Sequence, residues 1–344
     1  MREIGPSQPP YIIAEIGVNH DGSVERALQL VDAAADAQAD AVKLQLFKAD
    51  LLMSKAAKLA AYQKAAGESD PIEMLRRLEL SIEQMRPIVE RAHARGIHAI
   101  VTVFSLELVA EAERLAWDAY KTASPDIIHR PLLEALMATG RPLIVSTGAA
   151  ELDEIKRAAG WLEAVHRRLA MLQCVSSYPT PLEGAELGGI GALAHALPAT
   201  PIGYSDHTAE EVTGAMATRL GACILEKHST YSCSAKGPDH AASLEPDGLA
   251  RYCQLAHQTR TGAWPNELPR IKRVTERELD VRRVSRQSIV AKGDLPSGHV
   301  LTRTDLTFKR PGIGIEPFRL NDVIGKSLTR PIDADTPLTD ADIR

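Results

Sequence analysis

Cysteine is scarce in this chain, with four among 344 residues: Cys174, Cys223, Cys233 and Cys253. None stands in a C-x-x-C pair, which argues against a structural zinc site or a dithiol redox motif. So few thiols in so long a chain leave no disulfide framework and point to a reducing compartment. Aromatic residues make up only 4%, so the core must rest on Ala, Leu, Ile and Val, which suits helices packed closely on strands. An excess of one charge is missing too: 40 Lys+Arg stand against 45 Asp+Glu, a formal net charge of −5. That balance gives no global attraction to nucleic acid or to a membrane surface. No segment approaches the roughly 20 apolar residues of a membrane span. The opening MREIGPSQPP lacks the apolar run of a signal peptide, and a cytoplasmic protein is expected.

What is present is an ordinary globular composition, 44% hydrophobic and 25% charged. The length suggests about two domains. Over the first two-thirds, short β-branched runs alternate with amphipathic helical stretches. The runs are YIIAEIG, AVKLQLF, HAIVTVF, AYKTAS, PLIVSTG, LAMLQCVS, PIGYSDH and CILEKHS, with a long charged insertion after the second. LELVAEAERLA is among the stretches with helical spacing. Strands that alternate with helices pair in parallel, and eight such units within roughly 250 residues fit a closed (β/α)8 TIM barrel. An open doubly wound sheet is the rival, but its glycine-rich phosphate fingerprint is missing. The pattern changes after Ala263. Residues 264–284 read as a polar linker or connecting helix, and residues 285–344 as a small β-rich module punctuated by Gly293-Asp294, Pro296-Ser297-Gly298 and Pro311-Gly312.

In a barrel of this kind catalytic groups sit at the C-terminal ends of the strands, and inward residues lie two apart. The expected strand ends carry Glu15, then Lys43 with Gln45, Thr102, Lys121 with Ser124, Ser146, Ser176 to Tyr178, Ser205 with His207, and Glu226 with His228. His207 and His228 would end adjacent strands about 4.8 Å apart. Alone, either would read as a hydrogen-bonded loop residue. As a pair they can converge on one divalent ion, and the surrounding oxygen donors favour Mn²⁺ or Mg²⁺ over structural zinc. Lys43, Lys121, Thr102, Ser146 and Ser205 suit a phosphate through charge-assisted hydrogen bonds. An inward lysine needs such a partner, because burying an unpaired ammonium is costly. Glu15, Asp126, Glu226 and Asp239 are the nearby carboxylates; they could orient a hydroxyl, relay a proton, or simply pair with the lysines.

The motifs AEIGVNHDGS, AVKLQLF, LELS, STGAAELDEI, CVSSYPTP, GYSDHT, LEKHST, GPDHAASLEPD and KRPGIGI occur in that order. Together they resemble the sialic acid synthase family, which makes nonulosonic acids from phosphoenolpyruvate and an N-acyl hexosamine. The resemblance covers nearly the whole chain, including an antifreeze-like (SAF) domain from about Ser285. It implies that His207 and His228 are metal ligands. It implies phosphoenolpyruvate-binding roles for Lys43, Thr102, Lys121, Ser124, Ser146 and Ser205, and places Glu15, Asp239 and Glu226 at the reacting centre. Asp126, Ser176, Tyr178 and Arg310 fall at sugar-binding positions. The resemblance further implies a domain-swapped homodimer, in which Arg310 enters the partner's barrel.

Departures from the family pattern cluster at the sugar end. They are Leu46, Val103, Pro125-Asp126, Ser176, Ser229 and the stretch Tyr231–Lys236. SSYP looks more like synthases of pseudaminic acid and other bacterial nonulosonates. The competing readings are a carbohydrate- or ice-binding protein that uses the C-terminal module, and an aldolase acting on another phosphorylated sugar.

Overall fold

All eight β-branched runs form strands in a computed structural model of the chain, which describes residues 3–5, 8–262, 264–265 and 268–344. They are β1 (Tyr11–Glu15), β2 (Ala41–Leu46), β3 (His98–Val103), β4 (Ala119–Thr122), β5 (Leu143–Ser146), β6 (Leu169–Cys174), β7 (Ile202–Asp206) and β8 (Ile224–His228). They pair in parallel, in chain order, and β8 closes on β1. Part of MREIGPSQPP and the expected boundary at 263 lie outside the described residues. Among the described residues no helix is long and apolar enough to cross a membrane.

The period of two along each strand builds two cores. One set of side chains, including Ile12, Ala14, Val42, Leu44, Val101, Val145, Met171 and Leu225, packs outward against the helices. The other set faces the barrel axis. Its lower layer is apolar: Tyr11, Ile13, Ala41, Ile100, Ala119, Ile144, Ala170, Leu172 and Ile224. Its upper layer, one pleat further along each strand, holds the charged and hydroxyl residues.

Local signals start the helices where the sequence suggests. Ser23 accepts a hydrogen bond from Arg26 N–H to cap Val24–Asp36, and Ser81 with Gln84 forms a capping box on Ile82–Ala94. The LELVAEAERLA stretch falls short of the expected helix. It yields a 3-10 turn, Leu106–Leu108, and a single α-turn, Val109–Ala112. There the Trp117 indole N–H takes the Ala112 carbonyl that a further turn would use. The charged insertion folds into three short helices, Ala49–Leu52, Ala61–Ala65 and Pro71–Leu78, the last capped by Asp70.

The C-terminal module has two short antiparallel strands, β9 (Ser288–Ala291) and β10 (Leu306–Lys309). Isolated bridges supplement them, around a core of Ile289, Leu301, Leu306, Phe308, Val323, Leu328 and Leu338. The module sits on the barrel mouth. Arg310 N–H donates to Leu52 O (2.8 Å) and Ser54 N–H to Arg310 O (3.0 Å).

Candidate active site

Strand register assembles the upper axial layer. Glu15 stands opposite both Lys43 and His228, Thr102 opposite Lys121, and Ser205 opposite Glu226. Side chains in register on parallel neighbours point to the same side of the sheet. Residues far apart in sequence therefore meet at one depth in the barrel, and a cavity opens above them.

At the floor, two lysines and two glutamates form a buried network. Lys43 Nζ pairs with the Glu15 carboxylate, donates to Thr102 Oγ1 (2.9 Å) and lies 3.9 Å from Glu226. Lys121 Nζ donates to Glu226 Oε1 (3.3 Å), which also accepts from Ser205 Oγ (3.1 Å). Gln45 Nε2 donates to the other oxygen of Glu15 (3.1 Å). Burial pushes the Glu15 pKa up, against the pull of Lys43. Burial draws Lys43 down, but Glu15 and Glu226 outweigh it and the net displacement is upward. Burial also opposes ionisation of Glu226, yet Lys121 and Lys43 hold it at about 2. Lys121 is lowered by burial. The hydroxyls of Ser146 and Ser176 are buried without a protein partner, and both side chains line the cavity.

His207 and His228 meet as expected, with ring centroids 5.3 Å apart. The Tyr178 ring stacks at a tilt on His207, 4.1 Å between centroids. His207 Nδ1 bonds the Val175 carbonyl (2.7 Å). A carbonyl only accepts, so this nitrogen carries a proton, and Nε2 offers its lone pair whenever the ring is neutral; burial lowers the His207 pKa, but Cys174 and this hydrogen bond outweigh it and the net displacement is upward. His228 Nδ1 is buried without a hydrogen-bond partner, 3.5 Å from Asp239. Burial drives the His228 pKa well down, so this ring is neutral. Asp239 is raised to about 7 by burial and by Glu15. Two available imidazole nitrogens surrounded by oxygen donors fit a divalent ion whose remaining positions go to water or substrate. Among the described residues no group of three or more His, Cys, Asp or Glu side chains is arranged to hold a metal.

Two expected residues behave differently. Asp126 does not line the cavity. It is fully buried behind the wall, where Oδ1 accepts from Gln287 Nε2 of the module (3.1 Å). Burial raises it to about 7, against the pull of Arg310. Glu15 likewise sits beneath Lys43 rather than on the cavity surface.

Arg310 lines the mouth of the cavity, with its guanidinium 5.5 Å from the Phe104 ring centre. The connecting segment touches the barrel wall through Lys272 Nζ, which donates to Cys174 O (3.4 Å), and Val274 N–H, which donates to Glu151 (3.3 Å).

Sequence reasoning missed one whole side of the cavity. Val18, Phe47, Leu52, Tyr62, Met74, Leu75, Leu78, Phe104 and Val281 form an apolar wall above the polar floor. Most of it comes from the insertion, whose charges turn outward and pair with one another, as in Arg76–Asp50 and Arg77–Glu68. The spacing of Met74, Leu75 and Leu78 was the available signal. Val18 holds a left-handed conformation (φ 60°) in the turn that follows β1, a strained setting for a β-branched residue.

A model of the NeuB family matches residues 30–263, and a model of the SAF domain matches residues 286–344. The chain is 36% identical over 341 residues to the N,N'-diacetyllegionaminic acid synthase of Legionella pneumophila subsp. pneumophila, covering 97% of this chain and 94% of that protein. It is 31% identical to the N-acetylneuraminate-9-phosphate synthase of Homo sapiens, covering 97% and 92%. Among solved structures, the spore coat polysaccharide biosynthesis protein spsE of Bacillus subtilis superposes with a TM-score of 0.85 at 30% identity, over 99% of this chain and 97% of that one.

Proposed function

The chain belongs to the NeuB family, and on that premise we propose that it condenses phosphoenolpyruvate with an open-chain N-acyl hexosamine to give a nonulosonic acid and phosphate. One observation carries the reading. Lys43, Lys121, Thr102 and Ser205, together with the partnerless hydroxyls of Ser146 and Ser176, line the same cavity as His207 and His228. Two ammonium groups and several hydroxyls are a receptor for a phosphorylated carboxylate. In the free site Glu15 and Glu226 hold those ammonium groups. An arriving anion competes for them, and the Glu15 carboxyl, already displaced upward, is suited to take a proton in exchange.

In the reaction, carbon 3 of phosphoenolpyruvate attacks the sugar aldehyde and forms the new carbon–carbon bond. Water adds at carbon 2, and the tetrahedral carbon then breaks its bond to the bridging oxygen. Phosphate leaves and the 2-keto acid remains. Lys43 and Lys121 stabilise the phosphate throughout. Asp239, with a pKa of about 7, is matched to proton transfer at neutral pH. His207 and His228 would hold a divalent ion, Mn²⁺ or Mg²⁺, which when bound supplies Lewis-acid polarisation of the aldehyde. Tyr178, Ser176 and Arg310 flank the acceptor's place. The apolar wall suits acyl methyl groups and a deoxy carbon, as in sugars of the legionaminic or pseudaminic type, better than a second phosphate.

For assembly we propose the domain-swapped homodimer, in which Arg310 of each module enters the partner's barrel. Support comes from Val212, Met216 and Leu255, exposed on or beside the packed helices Thr213–Arg219 and Pro246–Gln258. The metabolite phosphoenolpyruvate puts the reaction in the cytoplasm. The decisive experiment measures phosphate release from phosphoenolpyruvate with N-acetylmannosamine, its 6-phosphate, and 2,4-diacetamido-6-deoxy hexoses. Release that depends on both substrates supports the reading. Sugar cleavage without phosphoenolpyruvate dependence would favour an aldolase, and binding without turnover a carbohydrate-binding protein.

A further inference from the structure

The connecting segment carries a fully buried carboxylate, Glu278, in the 3-10 turn Glu276–Glu278. Its Oε1 accepts from two backbone N–H groups, Ala149 (2.7 Å) and Ser176 (2.9 Å). Its Oε2 accepts from Thr275 N–H (2.9 Å) and Thr275 Oγ1 (3.1 Å). One carboxylate oxygen therefore bridges the loop after β5 and the loop after β6. These loops follow Ser146 and carry Ser176, whose hydroxyls face the cavity without a protein partner.

The loop after β5 needs an external hold. Ala149 adopts φ 51°, a left-handed conformation that costs a non-glycine residue energy. Beside it Gly148 is packed so closely that a Cβ would stand 2.9 Å from Ser124 Oγ and nearer still to Ser176 Oγ. The connecting segment and the start of the module grip Ala149 from both sides. Glu278 takes its N–H, while Arg282 (2.6 Å) and Arg286 (3.1 Å) donate to its carbonyl. Both guanidinium groups also pair with Glu154.

We propose that Glu278 is a positioning residue: its carboxylate sets the spacing of Ser146 and Ser176 across the cavity, so that seating the connecting segment completes the active site. The contact stands on its own geometry; its catalytic consequence rests on the function proposed above. A glutamine here offers only one acceptor oxygen, and its NH₂ would face donors at the other end.

The test compares the full-length wild type with Glu278→Gln and Glu278→Asp. It measures kcat and KM for phosphoenolpyruvate, melting temperature, and amide exchange across 146–151 and 174–178. For Glu278→Gln we expect kcat/KM to fall roughly 10–100-fold, the scale of a small misplacement of binding groups. Exchange should quicken in both stretches. Melting should shift little, because Arg282 and Arg286 still hold Glu154. Glu278→Asp, which keeps the charge one methylene short, should fall between. Unchanged exchange in the two stretches overturns the proposal. So does lowered stability with kcat/KM per folded molecule unchanged, since that describes mere glue. Should Glu278→Gln fail to fold, the same readouts on Glu278→Asp decide. A wild type that releases no phosphate with any acceptor defeats the proposed function, while the exchange data still judge the clamp.

Discussion

Removing Lys43 separates its two duties, holding the fold and holding substrate. Lys43 is 4% exposed and Glu15 0%, so Lys43→Met strands a carboxylate in the barrel with Gln45 as its remaining side-chain donor. Breaking a buried pair by deleting one partner costs roughly 3–5 kcal/mol. With a urea slope of roughly 3 kcal/mol per M, the unfolding midpoint should drop by about 1–1.7 M. The double variant Lys43→Met/Glu15→Gln removes both charges and should return to within about 1 kcal/mol of wild type, because apolar or neutral replacement of a whole pair is often neutral. Neither variant should bind phosphoenolpyruvate. The pH dependence has a definite sign. In the single variant the folded-state Glu15 pKa lies above its unfolded value of about 4.3. Stability is then fullest below that value and is lost as pH rises, at up to about 1.4 kcal/mol per pH unit. The gap between single and double variants should therefore narrow from pH 8 to pH 5. Equal urea midpoints for the two variants at pH 8 would refute the buried-pair argument.

His207→Ala or His228→Ala should abolish metal-stimulated turnover and weaken Mn²⁺ binding in a calorimetric titration while leaving the far-ultraviolet circular dichroism unchanged; full activity in a chelator-treated variant would exclude both as ligands. Asp126→Asn should stabilise the chain more at pH 8 than at pH 5, since burial raises Asp126 to about 7 and the wild type loses stability as pH climbs from about 4 to 7; a pH-independent difference in unfolding midpoint would count against the burial. Co-refolding Arg310→Ala with Lys43→Met/Glu15→Gln should return a fraction of wild-type phosphate release, because a hybrid of the domain-swapped dimer holds one barrel with Lys43 and a partner's Arg310 intact; a mixture that stays inactive would show that Arg310 acts within its own chain.

The strand ends were legible because a barrel converts a period of two into depth. Once Lys43, Thr102, Lys121, Ser146, Ser205 and Glu226 are assigned to inward positions, parallel register leaves them one layer to occupy. The pairing of His207 with His228 followed from the same rule. The small module was legible too, from its turns and its change of rhythm.

What the sequence could not determine depends on contacts with no local periodicity. Asp126 turns toward Gln287 and not the cavity, across 161 residues. The wall from the insertion needed its helices to be oriented, and its charges drew attention from its apolar face. The connecting segment is tied to the barrel wall from Lys272 onward, which no count of linker residues contains. Glu278 binds backbone N–H groups, and every residue but proline offers one, so nothing in the sequences of the two loops advertises the partner. Side-chain type and spacing fixed the chemistry at the strand ends; only tertiary packing chose which buried polar groups face the cavity and which serve to hold its walls.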